Sequence, residues 1–276
     1  MNTPHAFRPG TYDESIFWCA SEGNEYRLPE RFEADDIVID IGVHIGGFCL
    51  AALRRGANHV HGFEAEASNY ECALENLRPF GDRVRLHHKA VWRSDRRVKQ
   101  VTFTASNDRA NTGGGGMIFW ENAGGSHQLV GSVRFDDVIR AVTRRGRSRV
   151  RLVKIDCEGS EFPILLTART LHLIDTIAGE FHEVGGAYDT HEIPERARIR
   201  GIPRFTIDIL ARALERAGFR VTSVRHPNSH MGLFHAERIE RRVSLKDRCA
   251  AVWQSLGRNW LHSHDEADLG AGSRVG

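Results

Sequence analysis

The sequence predicts an α/β protein built around a mainly parallel β-sheet. Short apolar segments typical of buried strands alternate with segments whose apolar residues recur at helical spacing, and this alternation favours parallel strands joined by right-handed crossovers. Residues 219–226 and 230–239 follow the last helical segment and are predicted as a closing pair of antiparallel strands. In such sheets a ligand is expected beyond the carboxyl ends of the parallel strands.

The first strand–helix–strand unit is predicted near the start of the chain. Residues 1–34 mix polar and aromatic side chains and are predicted as an N-terminal extension. The apolar run 37–41 is typical of a strand buried on both faces. Helical spacing from Ile45 to Leu53 follows, and Gly56 is expected to end that helix. A second strand then ends at Glu64.

The second helix is predicted to begin at Ser68, where Glu71 completes a capping box. Its predicted apolar face has four members: Tyr70, Ala73, Leu74 and Leu77. Residues 83–92 are then predicted as one strand and residues 98–106 as an additional one.

Four consecutive glycines mark the segment 111–125, which is predicted to be either a flexible connector or a lid over a site. Asp136 is expected to cap a short helix beyond this segment. Three further strands are predicted at residues 128–135, 151–156 and 176–184, and a clearly amphipathic helix is predicted at residues 205–218.

Composition and charge exclude several classes of partner. The chain of 276 residues has a formal net charge of +2, which is too small to favour a nucleic-acid or membrane partner. Its five cysteines contain no C-x-x-C pair and predict reduced thiols in a cytoplasmic protein. The N-terminus has no apolar core of a signal peptide, and no run reaches the length of a membrane-spanning helix.

The turn after the first strand carries the first candidate site residues. Asp40 ends the strand, and Gly42 and Gly46 let the backbone turn tightly into a helix N-terminus. A dinucleotide fingerprint would need glycine where His44 stands, and a side chain there obstructs a pyrophosphate. The pattern D-x-G-x-x-x-G instead resembles the first motif of S-adenosylmethionine-dependent methyltransferases. All four residues are therefore predicted to form the cofactor turn.

The next two strand ends supply further candidate cofactor contacts. Glu64 could accept hydrogen bonds from both ribose hydroxyls, or it could only cap a helix or face solvent. Its distance from the glycine motif favours the ribose role. Ala90 is small enough for an adenine ring to lie flat against the backbone.

The segment KIDCEGSEF, together with GEFHE further along, closely resembles the FkbM family of methyltransferases. The residues that match its signature are Lys154, Ile155, Asp156, Glu158, Gly159 and Glu161. The similarity extends over residues 25–185, although His44 and the long glycine-rich segment depart from familiar members. The resemblance implies the class I methyltransferase (Rossmann-like) fold, a mainly parallel seven-stranded sheet with a C-terminal antiparallel hairpin. It also implies methyl transfer from S-adenosylmethionine, usually to a hydroxyl of a small molecule or sugar.

The acidic residues of these two segments suggest a mechanism. The resemblance makes their strands neighbours, so Asp156 and Glu158 are expected near Glu180 and His182. His182 is the predicted general base, Asp156 and Glu158 would organise the acceptor or an ion, and Asp156 would also contact the cofactor. Non-catalytic roles stay open for these residues. Asp156 could cap a helix, Glu161 could face solvent or support that helix, and His182 could be a core histidine. A divalent ion such as Mg²⁺ is an alternative that is not favoured.

The predicted organisation has three parts: an extension at 1–34, an S-adenosylmethionine-binding methyltransferase domain at 35–240, and a C-terminal helix with a disordered tail at 241–276. The predicted function is O-methylation of a small molecule. N-methylation of an amine is the alternative, and a nicotinamide-dependent oxidoreductase is disfavoured by His44 and by the lack of a Tyr-x-x-x-Lys pair. Balanced charge and the DCEG segment disfavour a nucleic-acid substrate. The acceptor and the oligomeric state are left open.

Overall fold

A computed structural model describes residues 5–118 and 126–239 of the protein. In chain order its strands are β1 (Ile37–Ile41), β2 (His59–Glu64), β3 (Val84–His88), β4 (Ala90–Trp92), β5 (Gln100–Thr104), β6 (His127–Arg134), β7 (Val150–Ile155), β8 (Ile174–His182), β9 (Phe219–Arg225) and β10 (Met231–Arg238). Seven of them form one sheet in the order β3-β2-β1-β7-β8-β10-β9. All neighbours in it are parallel except the pairs that β10 makes with β8 and β9. The predicted fold class, including the antiparallel hairpin, is confirmed.

Helices cover both faces of this sheet. They are α1 (Asp13–Glu22), α2 (Gly47–Arg54), α3 (Ala67–Leu77), α4 (Phe135–Val142), α5 (Glu161–Leu166) and α6 (Ile207–Arg216). Short 3₁₀ helices occupy Arg78–Arg83 and Leu171–Leu173. No helix in the described ranges is long and apolar enough to cross a bilayer.

Strand β1 lies inside the sheet, between β2 and β7, and every one of its residues is buried. Ile39 and Ile41 contact one apolar core, and Val38 contacts the other on the opposite face. Successive side chains of a strand point to opposite faces, so an apolar run with no alternation is what two covered faces require. The predicted strand at 37–41 is thereby confirmed.

The predicted single strand at 83–92 is wrong. Its first part, β3, is the edge of the main sheet, whereas β4 pairs with β6 in a second sheet of order β4-β6-β5. The chain leaves the main sheet at Lys89, between these two strands. Buried residues resume directly after Lys89 because β4 enters a new buried layer, and the short interruption at residues 87–89 does not reveal the change of sheet in the sequence.

The starts of two helices also differ from prediction. Helix α2 begins at Gly47 because Gly46 has a left-handed backbone (φ 102°) that interrupts the helix. Glu66 caps α3, since its carboxylate accepts a hydrogen bond from the Asn69 backbone N–H at 2.7 Å, and the predicted box starting at Ser68 is replaced. Leu74, predicted on the buried face of α3, is 44% exposed.

The described part of the segment 1–34 packs onto the sheet domain. Helix α1 contacts α2, and Phe17, Tyr26, Leu28 and Phe32 are buried in the core that α2 also fills. The described residues up to Ile239 therefore form one compact unit. The predicted C-terminal helix and tail at 241–276 lie outside the described residues.

Candidate functional site

A cavity of about 400 Å³ lies at the carboxyl ends of β1, β2, β7 and β8. Its walls also include residues of α1 and of the glycine-rich segment. Six of the predicted site residues line it: Gly42, His44, Glu64, Ala90, Asp156 and Glu158. Asp40, Gly46 and His182 are placed behind this first layer of side chains.

The turn between β1 and α2 is held in an unusual backbone conformation. Gly42, His44 and Gly46 all have positive φ angles, of 83°, 53° and 102°. A side chain at residue 42 would place its Cβ 1.9 Å from the Asp156 carbonyl oxygen, so only glycine fits there. The conformation of His44 directs its backbone N–H to the Glu64 carboxylate, at 2.7 Å. The turn and the end of β2 are thus connected directly.

Asp40 supports this turn from below. It is fully buried, and its Oδ1 lies 3.3 Å from the Lys154 ammonium. Lys154 also donates a hydrogen bond to the Gly42 carbonyl oxygen at 2.5 Å. Burial would lower the pKa of Lys154, but the carboxylates of Asp40 and Asp156 outweigh it and raise that pKa, so the lysine stays charged. Asp40 therefore shapes the turn through Lys154.

Glu64 ends β2 with its carboxylate facing the cavity. Its two oxygens accept hydrogen bonds from the backbone N–H groups of His44 and Glu66, the second at 2.9 Å. Burial raises its pKa to about 7 in spite of these donors. Each carboxylate oxygen retains a second lone pair, so ribose hydroxyls could still bind. Ala90 lines the same region together with Phe63 and Val91, which provide an apolar slot suited to a flat ring.

The other end of the cavity is acidic. Asp156, Glu158 and Glu180 line it, and the Tyr26 hydroxyl donates a hydrogen bond to Asp156 at 2.9 Å. His182 lies behind them and is only 1% exposed. Its Nε2 is 3.6 Å from Glu158 Oε2 and 3.9 Å from Glu180 Oε2. The expected grouping of the β7 and β8 residues is therefore present.

Burial and mutual repulsion set the charges of this acidic end. Burial raises the pKa of Glu158 to about 7 and, together with Asp156, that of Glu180 to about 8. Burial would lower the pKa of His182, but the carboxylates of Glu158 and Glu161 outweigh it and raise that pKa well above its usual value. The neighbouring carboxylates thus favour the imidazolium form of His182, while burial favours the protonated forms of Glu158 and Glu180.

The structure gives the positions of the two acids whose roles the sequence left open. Glu161 does not face solvent: it is fully buried, and its Oε1 accepts the Cys157 backbone N–H at 2.7 Å while lying 3.4 Å from His182 Nδ1. Ser160 occupies the N-cap position of α5. Asp156 lines the cavity and accepts a hydrogen bond from Tyr26.

Three residues could together hold a metal ion. Asp156, Glu180 and His182 each offer one ligand atom, and these three atoms lie within 4.8 Å of one another. Two oxygens and one nitrogen suit a divalent cation of the magnesium or manganese type. The donor set fits such an ion when His182 is deprotonated, because the ligating nitrogen must release its proton.

Sequence reasoning did not include two residues that line the cavity, Tyr26 and Lys154, among the predicted site residues. Lys154 could have been found, since it precedes Asp156 by two positions on one strand and both must face the same side. Tyr26 is 130 residues from its partner Asp156. No local pattern signals contacts over such separations.

The match to a known domain decides the family. The model of the methyltransferase FkbM domain matches residues 40–221, which include the turn, Glu64 and the whole acidic end. The chain belongs to the FkbM methyltransferase family. This methyltransferase is an enzyme whose methyl donor is S-adenosylmethionine. The family match therefore contradicts the alternative of a nicotinamide-dependent oxidoreductase. No curated protein matches the sequence.

Several solved structures are similar to this methyltransferase at low identity. An O-methyltransferase family protein from Burkholderia thailandensis is 12% identical, with 83% of this chain and 57% of that chain covered and a TM-score of 0.43. Precorrin-6y C5,15-methyltransferase from Geobacter metallireducens is 14% identical, with coverage of 86% and 94% and a TM-score of 0.41. A candidate rRNA methylase from Clostridium thermocellum is 12% identical, with coverage of 86% and 100% and a TM-score of 0.43.

Proposed function

We propose that this methyltransferase transfers a methyl group to a hydroxyl of a small molecule, such as a sugar or a natural-product intermediate. The observation that carries the proposal is one cavity with two different ends. One end offers a carboxylate, Glu64, beside an apolar slot at Ala90, and the other offers three carboxylates backed by His182. The first suits a nucleoside and the second suits a hydroxylated acceptor.

The cofactor is proposed to lie across the turn between β1 and α2. Glu64 accepts the ribose hydroxyls, Ala90 packs against the adenine ring, and Asp156 closes the far side. Gly42 and Gly46 allow the turn, Asp40 supports it through Lys154, and His44 aligns Glu64. When bound, S-adenosylmethionine supplies an electrophilic methyl group. The chain's part is to hold the acceptor oxygen in line with that group.

The proposed base is the pair formed by Glu158 and His182. Glu158 lines the cavity and meets the acceptor, whereas His182 lies behind it and is shielded from the cavity. The acceptor hydroxyl gives its proton to Glu158. Until that transfer, the His182 imidazolium stabilises the ionised carboxylate of Glu158. Asp156, fixed by Tyr26 and Lys154, orients the acceptor. The predicted role of His182 is therefore changed in this proposal: Glu158 replaces it as the group that takes the acceptor proton, and His182 acts through Glu158.

Charge supports a neutral or cationic acceptor. Asp156, together with Glu158 and Glu180 when they are ionised, repels phosphates, so nucleic acid is a poor fit for this end of the cavity. Two lysines also line the cavity, but Lys154 is held by Asp40 and the Gly42 carbonyl, and Lys89 lies next to Ala90 at the other end. An amine acceptor is the second candidate, because the same carboxylates would attract a protonated amine.

Binding and turnover test the proposal separately. S-adenosylhomocysteine should bind in calorimetry while NADH should not. Release of S-adenosylhomocysteine from S-adenosylmethionine should then be screened with sugars, other hydroxylated molecules, amines and RNA. Glu158→Gln should lower turnover of the best acceptor by about 10²–10⁴-fold, and the exposed control Glu75→Gln should not. Turnover with RNA alone, or an unaffected Glu158→Gln enzyme, would contradict the proposed chemistry.

Chelation tests the metal alternative. If Asp156, Glu180 and His182 hold a divalent ion, EDTA should abolish turnover and added Mg²⁺ should restore it. The ion would polarise the acceptor oxygen there, in place of the Glu158 and His182 pair. Full activity after exhaustive chelation would contradict a metal role and support Glu158 and His182 as the base. The variant His182→Ala then distinguishes two roles of His182. If the histidine is catalytic, the variant should stay folded and lose turnover; if it is a core residue, the variant should unfold.

A further inference from the structure

His44 lies in a chain of hydrogen bonds that leaves the matched domain. Its Nε2 is 2.7 Å from the Thr112 hydroxyl, and that hydroxyl is 2.6 Å from Asp13 Oδ1. Thr112 belongs to the glycine-rich segment, and Asp13 opens α1, ahead of residue 40 where the family match begins. Three segments far apart in sequence therefore meet at the cofactor turn.

The chemistry of the groups fixes the direction of these bonds. Burial would raise the pKa of Asp13, but hydrogen bonds from Arg8 and Thr112 outweigh it and lower that pKa to about 2, so Asp13 is an ionised acceptor. The single Thr112 hydroxyl proton is thus donated to Asp13. Thr112 must accept from His44, whose ring carries its proton on Nε2 and is neutral because burial lowers its pKa to about 4.

Arg8 and Asn69 also contact this chain of hydrogen bonds. Arg8 makes a bidentate hydrogen bond to the Asp13 carboxylate, at 2.8 and 2.9 Å, and also donates to the Asn69 side chain at 2.6 Å. Asn69 in turn donates to the Thr112 carbonyl oxygen at 3.0 Å. Arg8, Asp13, His44, Asn69 and Thr112 are called the Asp13 network below. Asp13 has no exposed side-chain surface, so its charge is satisfied only inside this network.

The network anchors the segments that cover the cofactor end of the cavity. Ile16 of α1 and Asn111 and Gly113 of the glycine-rich segment line the cavity next to the network. A backbone hydrogen bond from Tyr12 to Ala110, at 2.8 Å, joins the same two segments. Both are therefore held over the turn as one wall.

The network also acts on the strained turn itself. His44 has a left-handed backbone, which is unfavourable for a residue with a Cβ and persists only when its surroundings hold it. That conformation is what points its N–H at Glu64. A side chain tied to Thr112 holds the backbone in this state, so the network determines where the Glu64 carboxylate is placed.

We propose that Asp13 and Thr112 are positioning residues for S-adenosylmethionine, which hold His44 and, through it, Glu64 in the binding geometry. The inference rests on the proposed placement of the cofactor ribose at Glu64. It extends the cofactor site to α1 and explains why a histidine occupies the turn. The side chain of His44 is the link between the binding carboxylate and the covering wall.

Thr112→Val tests this assignment, because valine keeps the shape of threonine and removes both hydroxyl hydrogen bonds. We expect S-adenosylhomocysteine to bind about 5–30-fold more weakly to Thr112→Val by calorimetry, and Thr112→Ser to bind like the unchanged protein. His44→Asn, which tolerates the left-handed backbone but is too short to reach Thr112, should show the same weakening. Thr112→Val and Glu64→Gln should also be non-additive, since both act on one carboxylate.

The outcomes separate this inference from the proposed function. If the unchanged protein does not bind S-adenosylhomocysteine, the placement of the cofactor itself fails. If it binds, and Thr112→Val and His44→Asn bind equally well, the positioning role is overturned. A strictly additive double variant would also overturn it, because Thr112 would then act only on general stability. If Thr112→Val does not fold, His44→Asn and its combination with Glu64→Gln decide the question.

Discussion

Glu64 combines burial with two backbone donors, and this makes it the most informative single residue for cofactor binding. We expect Glu64→Gln to weaken S-adenosylhomocysteine binding by about 1–3 kcal/mol, because charge-assisted hydrogen bonds to the ribose are lost. Calorimetry measures the change, and Glu75→Gln on the exposed side of α3 is the matched control. Equal affinity of the Glu64 variant and the control would remove Glu64 from the site.

The pKa of Glu64 leads to a second expectation at the residue scale. With a pKa of about 7, this carboxyl is mostly ionised at pH 8 and mostly protonated at pH 6. If the ionised form binds the ribose, binding at pH 6 must first remove a proton, so affinity for S-adenosylhomocysteine should fall about tenfold from pH 8 to pH 6. Glu64→Gln should flatten this dependence. An equally steep profile in the variant would assign the titration to another group.

The sequence predicted the site residues that sit directly after a strand. Gly42, Glu64 and Asp156 could be placed because a strand end is a local pattern, and the sheet topology then brings the ends together. Tyr26 and Thr112 could not, since their contacts depend on how distant segments pack. The protonated state of His182 was also beyond prediction, because it follows from three carboxylates that only the folded chain assembles.

The run of glycines at 113–116 is explained at the scale of the element by close packing. None of these glycines has a positive φ, but a Cβ at Gly115 would lie 2.6 Å from the Phe103 ring, and one at Gly116 would lie 2.8 Å from Glu158 Cβ. Backbone hydrogen bonds also pair Gly116 with Thr104. The described part of the segment is thus fitted against β5 and the acidic end. Residues 119–125 of the segment lie outside the described residues, so the alternative of a lid stays a prediction.

This packing predicts different effects for two glycines with ordinary φ angles. Gly116→Ala should lower the free energy of unfolding by about 1–3 kcal/mol, since the new methyl group overlaps Glu158. Gly131→Ala in β6 has open space around the new Cβ and should be neutral or slightly stabilising. Urea unfolding of both variants gives the comparison. Equal effects would mean that Gly116 is a flexible connector after all.

At the scale of the whole molecule, the N-terminal segment is part of the core. Phe17 is 1% exposed and packs with α2, the helix that follows the cofactor turn. Phe17→Ala should therefore lower the free energy of unfolding by about 3–5 kcal/mol, the usual cost of a large core truncation. Leu129→Ala is a suitable control, because Leu129 is 65% exposed and its loss should cost little. A small effect of Phe17→Ala would show that the segment is a loosely attached extension.

The overall architecture was predictable because it depends on patterns that repeat along the chain. Alternating strands and helices determine a parallel sheet, and the last two strands determine the hairpin. The attachment of α1 was not predictable from the same patterns. The buried residues of α1 are Asp13, Phe17 and Ser21, and a single aromatic residue in a polar helix does not indicate a core position; only packing against α2 makes Phe17 part of the core.

The contact between Gly42 and the Asp156 carbonyl oxygen constrains how relatives of this chain can diverge. A Cβ at residue 42 would collide with the backbone of residue 156 whatever side chain stands there, so no exchange at 156 can compensate for the loss of the glycine. An alanine at 42 would require the strand end itself to shift. Grafting the acceptor end of another methyltransferase onto this scaffold should therefore succeed only if the donor segment preserves the backbone path of residues 155–157. In directed evolution, the glycine turn and that path are inherited as one unit.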